Sequence, residues 1–386
     1  MQKKQEGKIL RTAILLGLVS MLNDISSEMI VPLLPIFILS LGGNAVAIGF
    51  VGGIAALTAN LMNVISGYFA DRIGKRKNYI FAGYAISATA KMLYATATSW
   101  FVVLLLRVAD RIGKGLRDAP RDALLAESVS KKFEGRAFGI HRALDSLGAL
   151  LGTLIAILLI GFFYVEMRYV FLAAGLIGFS ALLPLLRVKE TLHMKTHESF
   201  GKAIKTLSKE LKFFLLITSI FYFGNFSYMF LILKAKSIVD SVVIILGMYA
   251  VFNLAYAIFP YFTGRLADSI GKKSVIAIAY GLFALLSLGL IFANNLVEIT
   301  AAFFLYGVFY AFLFGNQRAF VAELAKKEEM ATSMGLFYII SGSFALLGSI
   351  VAGFLWETIG PWLVFALSFL TSVTAAILLI TLIRKN

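Results

Sequence analysis

At 386 residues, 60% hydrophobic and 15% charged, with a mean hydropathy of +0.87, the chain is too apolar for a soluble globule. Such proteins carry about 45 to 50% apolar and about 25% charged residues, so this chain belongs in a bilayer. Thirty-six Lys and Arg against 21 Asp and Glu give a net charge of +15; the positive bias of cytoplasmic loops produces that excess, and no basic, aromatic-interleaved soluble module exists to bind nucleic acid. The absence of cysteine excludes disulfides, thiolate catalysis and cysteine-ligated metals.

Apolar runs of about 18 residues or more predict membrane helices. Twelve are expected: 10–40, 45–70, 79–97, 100–126, 136–163, 168–187, 212–234, 241–264, 274–293, 297–325, 331–357 and 361–383. The basic N-terminus runs into the first without a small-residue cleavage site, so it reads as a spanning helix rather than a leader. On that helix Asp24 and Glu28 are four residues apart and share a face. The fourth run fails a hydropathy window and is expected to be helical because its repeat partner, the tenth, is plainly apolar. It sets Arg107, Arg111, Lys114, Asp118 and Arg121 on one stripe at spacings of three and four, with Asp110, Arg117 and Asp122 nearby. The fifth brings His141, Arg142 and Asp145, where His141 and Asp145 suit either a proton relay or a structural contact. A hydrophilic stretch then splits the chain into an N-terminal six-helix bundle (1–188), a cytoplasmic linker (189–211) and a C-terminal six-helix bundle (212–386). Its His193 and His197 lack further ligands and read as solvated rather than metal-binding. Tyr222, Asn225, Tyr228, Asn253, Tyr256, Tyr306, Tyr310 and Gln317 are the polar-tipped groups of the second half, suited to gripping an amphipathic molecule or to anchoring at the membrane interface.

The chain repeats itself. Gly67, Ala70, Asp71, Gly74 and Lys75 return as Gly264, Ala267, Asp268, Gly271 and Lys272 at an offset of 197, and Ala126-Glu127, Gly139 and Gly152 return as Ala322-Glu323, Gly335 and Gly348 at an offset of 196. A looser alignment sets Asp24-x-Ser26 against Asn225-x-Ser227. The halves differ in charge: at the 196 offset Asp110, Lys114 and Asp118 become Tyr306, Tyr310 and Phe314. Sorted by loop, the basic residues crowd the N-terminal tail, the even-numbered loops and the C-terminus, against Arg168, Lys234 and Lys236 in the odd-numbered loops, so both termini are expected in the cytoplasm.

Twelve expected helices in two sixes, with Gly67-x-x-x-Asp71-Arg72-x-Gly74-Lys75-Arg76 and its second copy, resemble the major facilitator superfamily of secondary transporters over nearly the whole chain. Arg107 is similar to that family's fourth-helix arginine, and Gly148-x-x-x-Gly152 to part of its antiporter motif, with Thr153 in place of the completing proline. The resemblance implies two bundles rocking around a central site. It also implies that the Gly67–Arg76 turn latches onto acidic groups at the end of helix 4, which makes Asp118 and Asp122 gating residues together with Gly264, Asp268 and Gly271.

Charges inside a membrane cost about 2.5 to 3.5 kcal/mol each on insertion scales, so they face a cavity or a partner. Asp24, Glu28, Asp110 and Asp145 are the candidates for proton coupling, and ion pairing of the first two with Arg107 or Arg111 is the structural alternative. Arg107, Arg111, Arg142, Asn225, Tyr228, Tyr256, Tyr310 and Gln317 are the candidates for the substrate cavity. The expected protein is an all-α secondary transporter of the cytoplasmic (inner) membrane, a monomer with no cofactor, no metal and no ATP-binding motif. Its expected partners are a small-molecule substrate, protons and the bilayer. Proton-coupled export of a small organic solute is the first reading, proton-coupled uptake of an organic anion the alternative, and a membrane-embedded enzyme a remote third.

Overall fold

The computed structural model describes residues 2–73, 76–129, 133–188, 207–326 and 329–383, the side chains of 2–11 and 68–73 excepted. His193, His197, Gly74, Lys75 and the side chains of Asp71 and Arg72 lie outside the described residues. The described chain is almost wholly helical: α1 (Gln2–Ile30), α2 (Leu34–Ser40), α3 (Ala45–Ile73), α4 (Arg76–Leu93), α5 (Trp100–Glu127), α6 (Glu134–Ile157), α7 (Met167–Ser180), α8 (Leu182–Leu186), α9 (Lys209–Gly224), α10 (Tyr228–Ile238), α11 (Val242–Ile270), α12 (Lys272–Phe292), α13 (Leu296–Leu324), α14 (Met330–Thr358) and α15 (Pro361–Leu382).

Ten segments among the described residues are long and apolar enough to cross a membrane: Thr12–Ser40 through α1 and α2, then α3, α6, α7 with α8, α9 with α10, and each helix from α11 to α15. The expected count was twelve. The remaining two, α4 and α5, are helices, but Arg76, Lys77 and Lys91 in the first and the charged stripe of the second make them too polar to qualify by apolarity.

Local chemistry explains the breaks. Pro32 lacks an amide hydrogen and its ring crowds the carbonyl four residues back, so α1 ends at Ile30; Pro184 similarly ends α7 at Ser180. Between α9 and α10, Asn225 is extended (φ −76°, ψ 90°), and Ser227 restarts the helix by accepting a hydrogen bond from the Met229 amide at 3.4 Å. Gly271 joins α11 to α12 at φ +84°, a conformation that an L side chain resists, which accounts for the glycine of the repeated turn.

The chain divides into two compact units, Met1–Phe37 with Thr58–His197, and Ile38–Leu57 with Glu198–Asn386. In the first, α1 packs on α6 and α7, and α4 on α5 and α7; in the second, α9 packs on α14 and α15, and α12 on α13 and α15. The packing order is the same. In the first unit a Cβ on Gly152 would strike the Ile25 carbonyl; in the second, one on its repeat partner Gly348 would strike the Phe223 carbonyl. The Ser66 hydroxyl donates to the Gly115 carbonyl at 2.6 Å, and 197 and 196 residues later Thr263 donates to the Ala311 carbonyl at 3.2 Å. The helix pairing α1/α6 against α9/α14 therefore sets Ile25 in the place of Phe223 in the repeat, three residues off the looser sequence alignment of Asp24 with Asn225.

The repeated turn also has a structural echo. Arg76 forms an ion pair with Glu127, and Lys77 Nζ donates to the Leu186 and Val188 carbonyls at 3.0 and 2.8 Å. In the second unit Lys272 pairs with Glu323 at 2.7 Å, and Lys273 Nζ donates to the Ile380 carbonyl at 3.0 Å and to that of Ile383. The basic pair thus clamps one helix end and covers the last carbonyls of another in each unit. Two residues separate α3 from α4 but only Gly271 separates α11 from α12. Arg76, rather than Lys75, therefore holds the place of Lys272, and the offset changes from 197 to 196 at this turn.

Residues 38–57 join the second unit through glycine contacts with α14. Cβ atoms on Gly49 and Gly53 would collide with Ser349 and Leu346, and one on Gly353 with Ala45 and Val46. Glu357 accepts from the Ala45 amide at 2.6 Å, placing a carboxylate on the N-terminus of α3.

Candidate functional site

In the first unit α1, α4 and α5 enclose a crevice lined by Ser27, Ile30, Val31, Lys91, Tyr94, Arg107, Asp110 and Arg111. Two glycines let α4 and α5 come this close: a Cβ on Gly83 would meet the Gly113 carbonyl at 2.6 Å, and one on Gly113 the Gly83 carbonyl at the same distance. Asp110 is 1% exposed. Its Oδ1 accepts from Ser87 at 2.5 Å, and its Oδ2 accepts from Arg107 Nη1 at 3.3 Å and from Arg111 Nη2 and Nε at 2.6 and 3.1 Å. Lys91 donates to Ser27 Oγ at 2.7 Å, Asn23 Oδ1 at 3.1 Å and the Asn23 carbonyl at 3.4 Å.

Further along α5 lies a second cluster. Arg121 binds Asp122 at 2.8 Å and Asp118 at 3.5 Å, and donates to Ser20 of α1 at 3.2 Å. Arg117 lies 3.7 Å from Asp118 and stacks over the Tyr84 ring at 4.5 Å. His141 and Asp145 of α6 are 3.5 Å apart. Half-buried Asp24, which accepts from the Asn23 amide at 3.3 Å, is within electrostatic range of Asp145, Lys114, Arg117 and Arg121. Glu28 is half-buried one turn on, beside Gly152.

The second unit replaces charge with aromatic rings. Tyr222 donates to Gln317 Oε1 at 2.9 Å, whose amide donates to Tyr280 at 3.0 Å. Tyr306 and Tyr310 share a hydrogen bond of 3.0 Å, and Tyr256, Phe252 and Phe314 pack around Tyr310. Tyr228 lies against Tyr249, and buried Asn225 sits in the break between α9 and α10. At the 196 offset the Ser87–Asp110 hydrogen bond becomes the Phe283–Tyr306 ring contact, with centroids 6.4 Å apart. Arg121, beside Tyr84 in the first unit, becomes Gln317 bonded to Tyr280 in the second.

Sequence spacing places Arg107, Asp110 and Arg111 together, and they meet. Among the described residues the basic partners of Asp118 and Asp122 are Arg117 and Arg121 of their own helix, while Arg76 reaches Glu127. Arg142 and Asp268 are exposed, and Gly67 and Gly264 are near or at the surface of their helices. Spacing missed Ser20, Asn23, Ser27, Ser87, Lys91 and Tyr280, because each meets its partner across helices. A lysine in an otherwise apolar run was the signal for Lys91.

The profile of the Major Facilitator Superfamily matches residues 16–237 and 215–386. The chain is 39% identical to the uncharacterised MFS-type transporter MJ1317 of Methanocaldococcus jannaschii, across 98% of this chain and 97% of that one. It is 32% identical to the multi-drug resistance efflux pump PmrA of Streptococcus pneumoniae over 48% of this chain and 46% of the pump. A mutant form of the nucleoside transporter NupG shares the fold with a TM-score of 0.80 at 15% identity, covering 97% of this chain and all of that one. A multi-pass helical membrane protein matched by this profile over residues 16–386 handles small molecules in a bilayer and is no enzyme: the chain belongs to the Major Facilitator Superfamily of transporters.

Proposed function

We propose that the protein is a secondary active transporter that exports a small organic solute in exchange for protons, by alternating access of two six-span halves, 1–188 and 212–386, joined by the linker 189–211. In this reading α4 and α5 complete the twelve spans, both termini are cytoplasmic, and the protein works as a monomer in the cytoplasmic membrane. The observation that carries it is the half-buried array of acids and bases on α1, α5 and α6: Asp24, Asp145, His141, Asp118, Asp122 and Arg121 lie within one unit, where ionisable groups are expensive unless they are used. Acids in range of each other and of fixed arginines suit uptake and release of a proton as the bundle changes state. Export is favoured by the partial likeness to a multi-drug efflux pump. The polar-tipped rings around Tyr306 and Tyr310 suit the apolar body of an organic solute.

Anion uptake with protons is the second reading, favoured by the three basic side chains that share Asp110's crevice. The test is counterflow in proteoliposomes under an imposed pH gradient, screened against anionic, cationic and neutral solutes. Accumulation of a solute against its own gradient, driven by opposite proton flow, is expected. Co-directional flow would select the second reading, and the absence of pH-driven flux for every solute would overturn both.

A further inference from the structure

The crevice between α1, α4 and α5 is uneven in charge. Three cations, Lys91, Arg107 and Arg111, share it with one acid, Asp110. That acid is fully engaged, with Oδ1 on the Ser87 hydroxyl and Oδ2 on both guanidinium groups. Lys91 is 2% exposed, and its three donors end on neutral oxygens: Asn23 Oδ1, the Asn23 carbonyl and Ser27 Oγ. Among the described residues no carboxylate comes within ion-pair distance of its ammonium. Asp110 and Asp24 act on its charge only from beyond that distance, a buried cation with no direct ion pair is costly, and tethering α4 to α1 needs only a neutral donor such as glutamine. A lysine at this point brings a charge that no direct ion pair among the described residues takes up.

We infer that Lys91, with Arg111 across the crevice, receives the anionic group of the transported solute, a carboxylate or a phosphate. The inference rests on the transporter reading above and names the chemistry of its substrate. Arg111 commits Nε and Nη2 to Asp110, so it offers an anion its Nη1 edge, and the lysine offers a compact point charge. Ile30, Val31 and Tyr94 supply apolar walls beside the three cations. The crevice is too tight for a water molecule as it stands, so a terminal anionic group enters it only as α1, α4 and α5 move apart, with the organic body of the solute left outside.

The full-length protein, purified in detergent, is titrated with inorganic phosphate, acetate, benzoate and phenyl phosphate, and with neutral benzamide, binding being read by calorimetry and by the shift in unfolding temperature. The wild type is expected to bind at least one of the anions and not benzamide. Phosphate and phenyl phosphate against acetate and benzoate decide between the two headgroups. Lys91→Gln is expected to weaken that binding at least tenfold, and Lys91→Arg to retain it within threefold. Should Lys91→Gln not fold, Arg111→Gln carries the same tenfold expectation. Equal binding by wild type and Lys91→Gln, or no binding of any anion by the wild type, overturns the inference. Proteoliposomes separate it from the function proposed above. If pH-driven flux of a cationic dye is unchanged by Lys91→Gln and no anion binds, the anion site fails and proton-coupled export stands. If anion binding depends on Lys91 but no solute moves with a pH gradient, proton coupling fails and the anion site stands.

Discussion

Asp24 and Lys91 face the same economy from opposite sides: each is an ionisable group in a membrane-length stretch of helix, and each must find a use for its charge. Asp24 has bases nearby, namely Lys114, Arg117 and Arg121, and a second acid, Asp145, on α6. If it is the principal proton carrier, Asp24→Asn mimics the permanently protonated side chain. Net transport driven by a pH gradient is then expected to fall at least tenfold while exchange of labelled for unlabelled substrate survives; full gradient-driven flux in the variant would move the role to Glu28, Asp110 or Asp145. The residues legible in the sequence were those whose partners lie three or four positions away on one helix, as Arg107, Asp110 and Arg111 do. Lys91 meets Asn23 across 68 residues and Tyr222 meets Gln317 across 95. No periodicity within one helix records such contacts, so the polar side of each helix was readable but its partner was not.

The repeat was visible in the sequence because a tight turn constrains residue type, with glycine needed at φ +84° at Gly271 and basic residues at the helix starts. What the alignment could not locate was the one-residue difference in turn length, since adjacent lysines and arginines align equally well in either register. Glycines give a sharper test of the helix pairing. Gly152→Ala and Gly348→Ala each push a methyl group into a backbone carbonyl that cannot swing aside, and each is expected to destabilise the protein by about 1 to 3 kcal/mol. Gly139→Ala and Gly281→Ala, where nothing lies within 4 Å of an added Cβ, are expected to leave stability unchanged or raise it by up to about 1 kcal/mol. Thermal unfolding in detergent separates the two pairs, and equal effects would break the assigned pairing of α6 with α1 and of α14 with α9. Ser66→Ala and Thr263→Ala remove equivalent hydrogen bonds between helices, each worth about 0.6 kcal/mol in a membrane protein. Their losses in the same measurement are expected to be small and similar.

Across the whole molecule one packing scheme carries two chemistries. The first unit keeps arginines, lysines and aspartates where the second has Tyr306, Tyr310, Phe314 and Gln317, so a duplicated scaffold has been divided between charge handling and apolar contact. Membrane character and the repeat were legible because apolarity and turn chemistry are local. The allegiance of residues 38–57 was not, because the two ends of α3 pack on different partners, through Gly49 and Gly53 at one end and Ser66 at the other. The orientation proposed above rests on charge: the loops on the side of the Arg76 and Lys272 turns carry the basic excess, and such an excess favours the cytoplasmic side. The cysteine-free chain allows a direct test. Asn44 and Asn295 are the obvious probe positions in the odd loops, but both cap helices, accepting from the Ala47 and Glu298 amides at 3.1 and 3.0 Å, and replacing a cap costs about 1 kcal/mol. Their neighbours Gly43 and Asn294 avoid that loss, and exposed Asn78 on α4 serves for the other side. In intact cells, single cysteines at 43 and 294 are expected to react with a membrane-impermeant maleimide, and one at 78 only after the cells are opened. Labelling in the reverse pattern would invert the protein in the membrane and place both termini outside, while labelling of all three in intact cells would mean that α3, which lies between positions 43 and 78, does not cross the membrane.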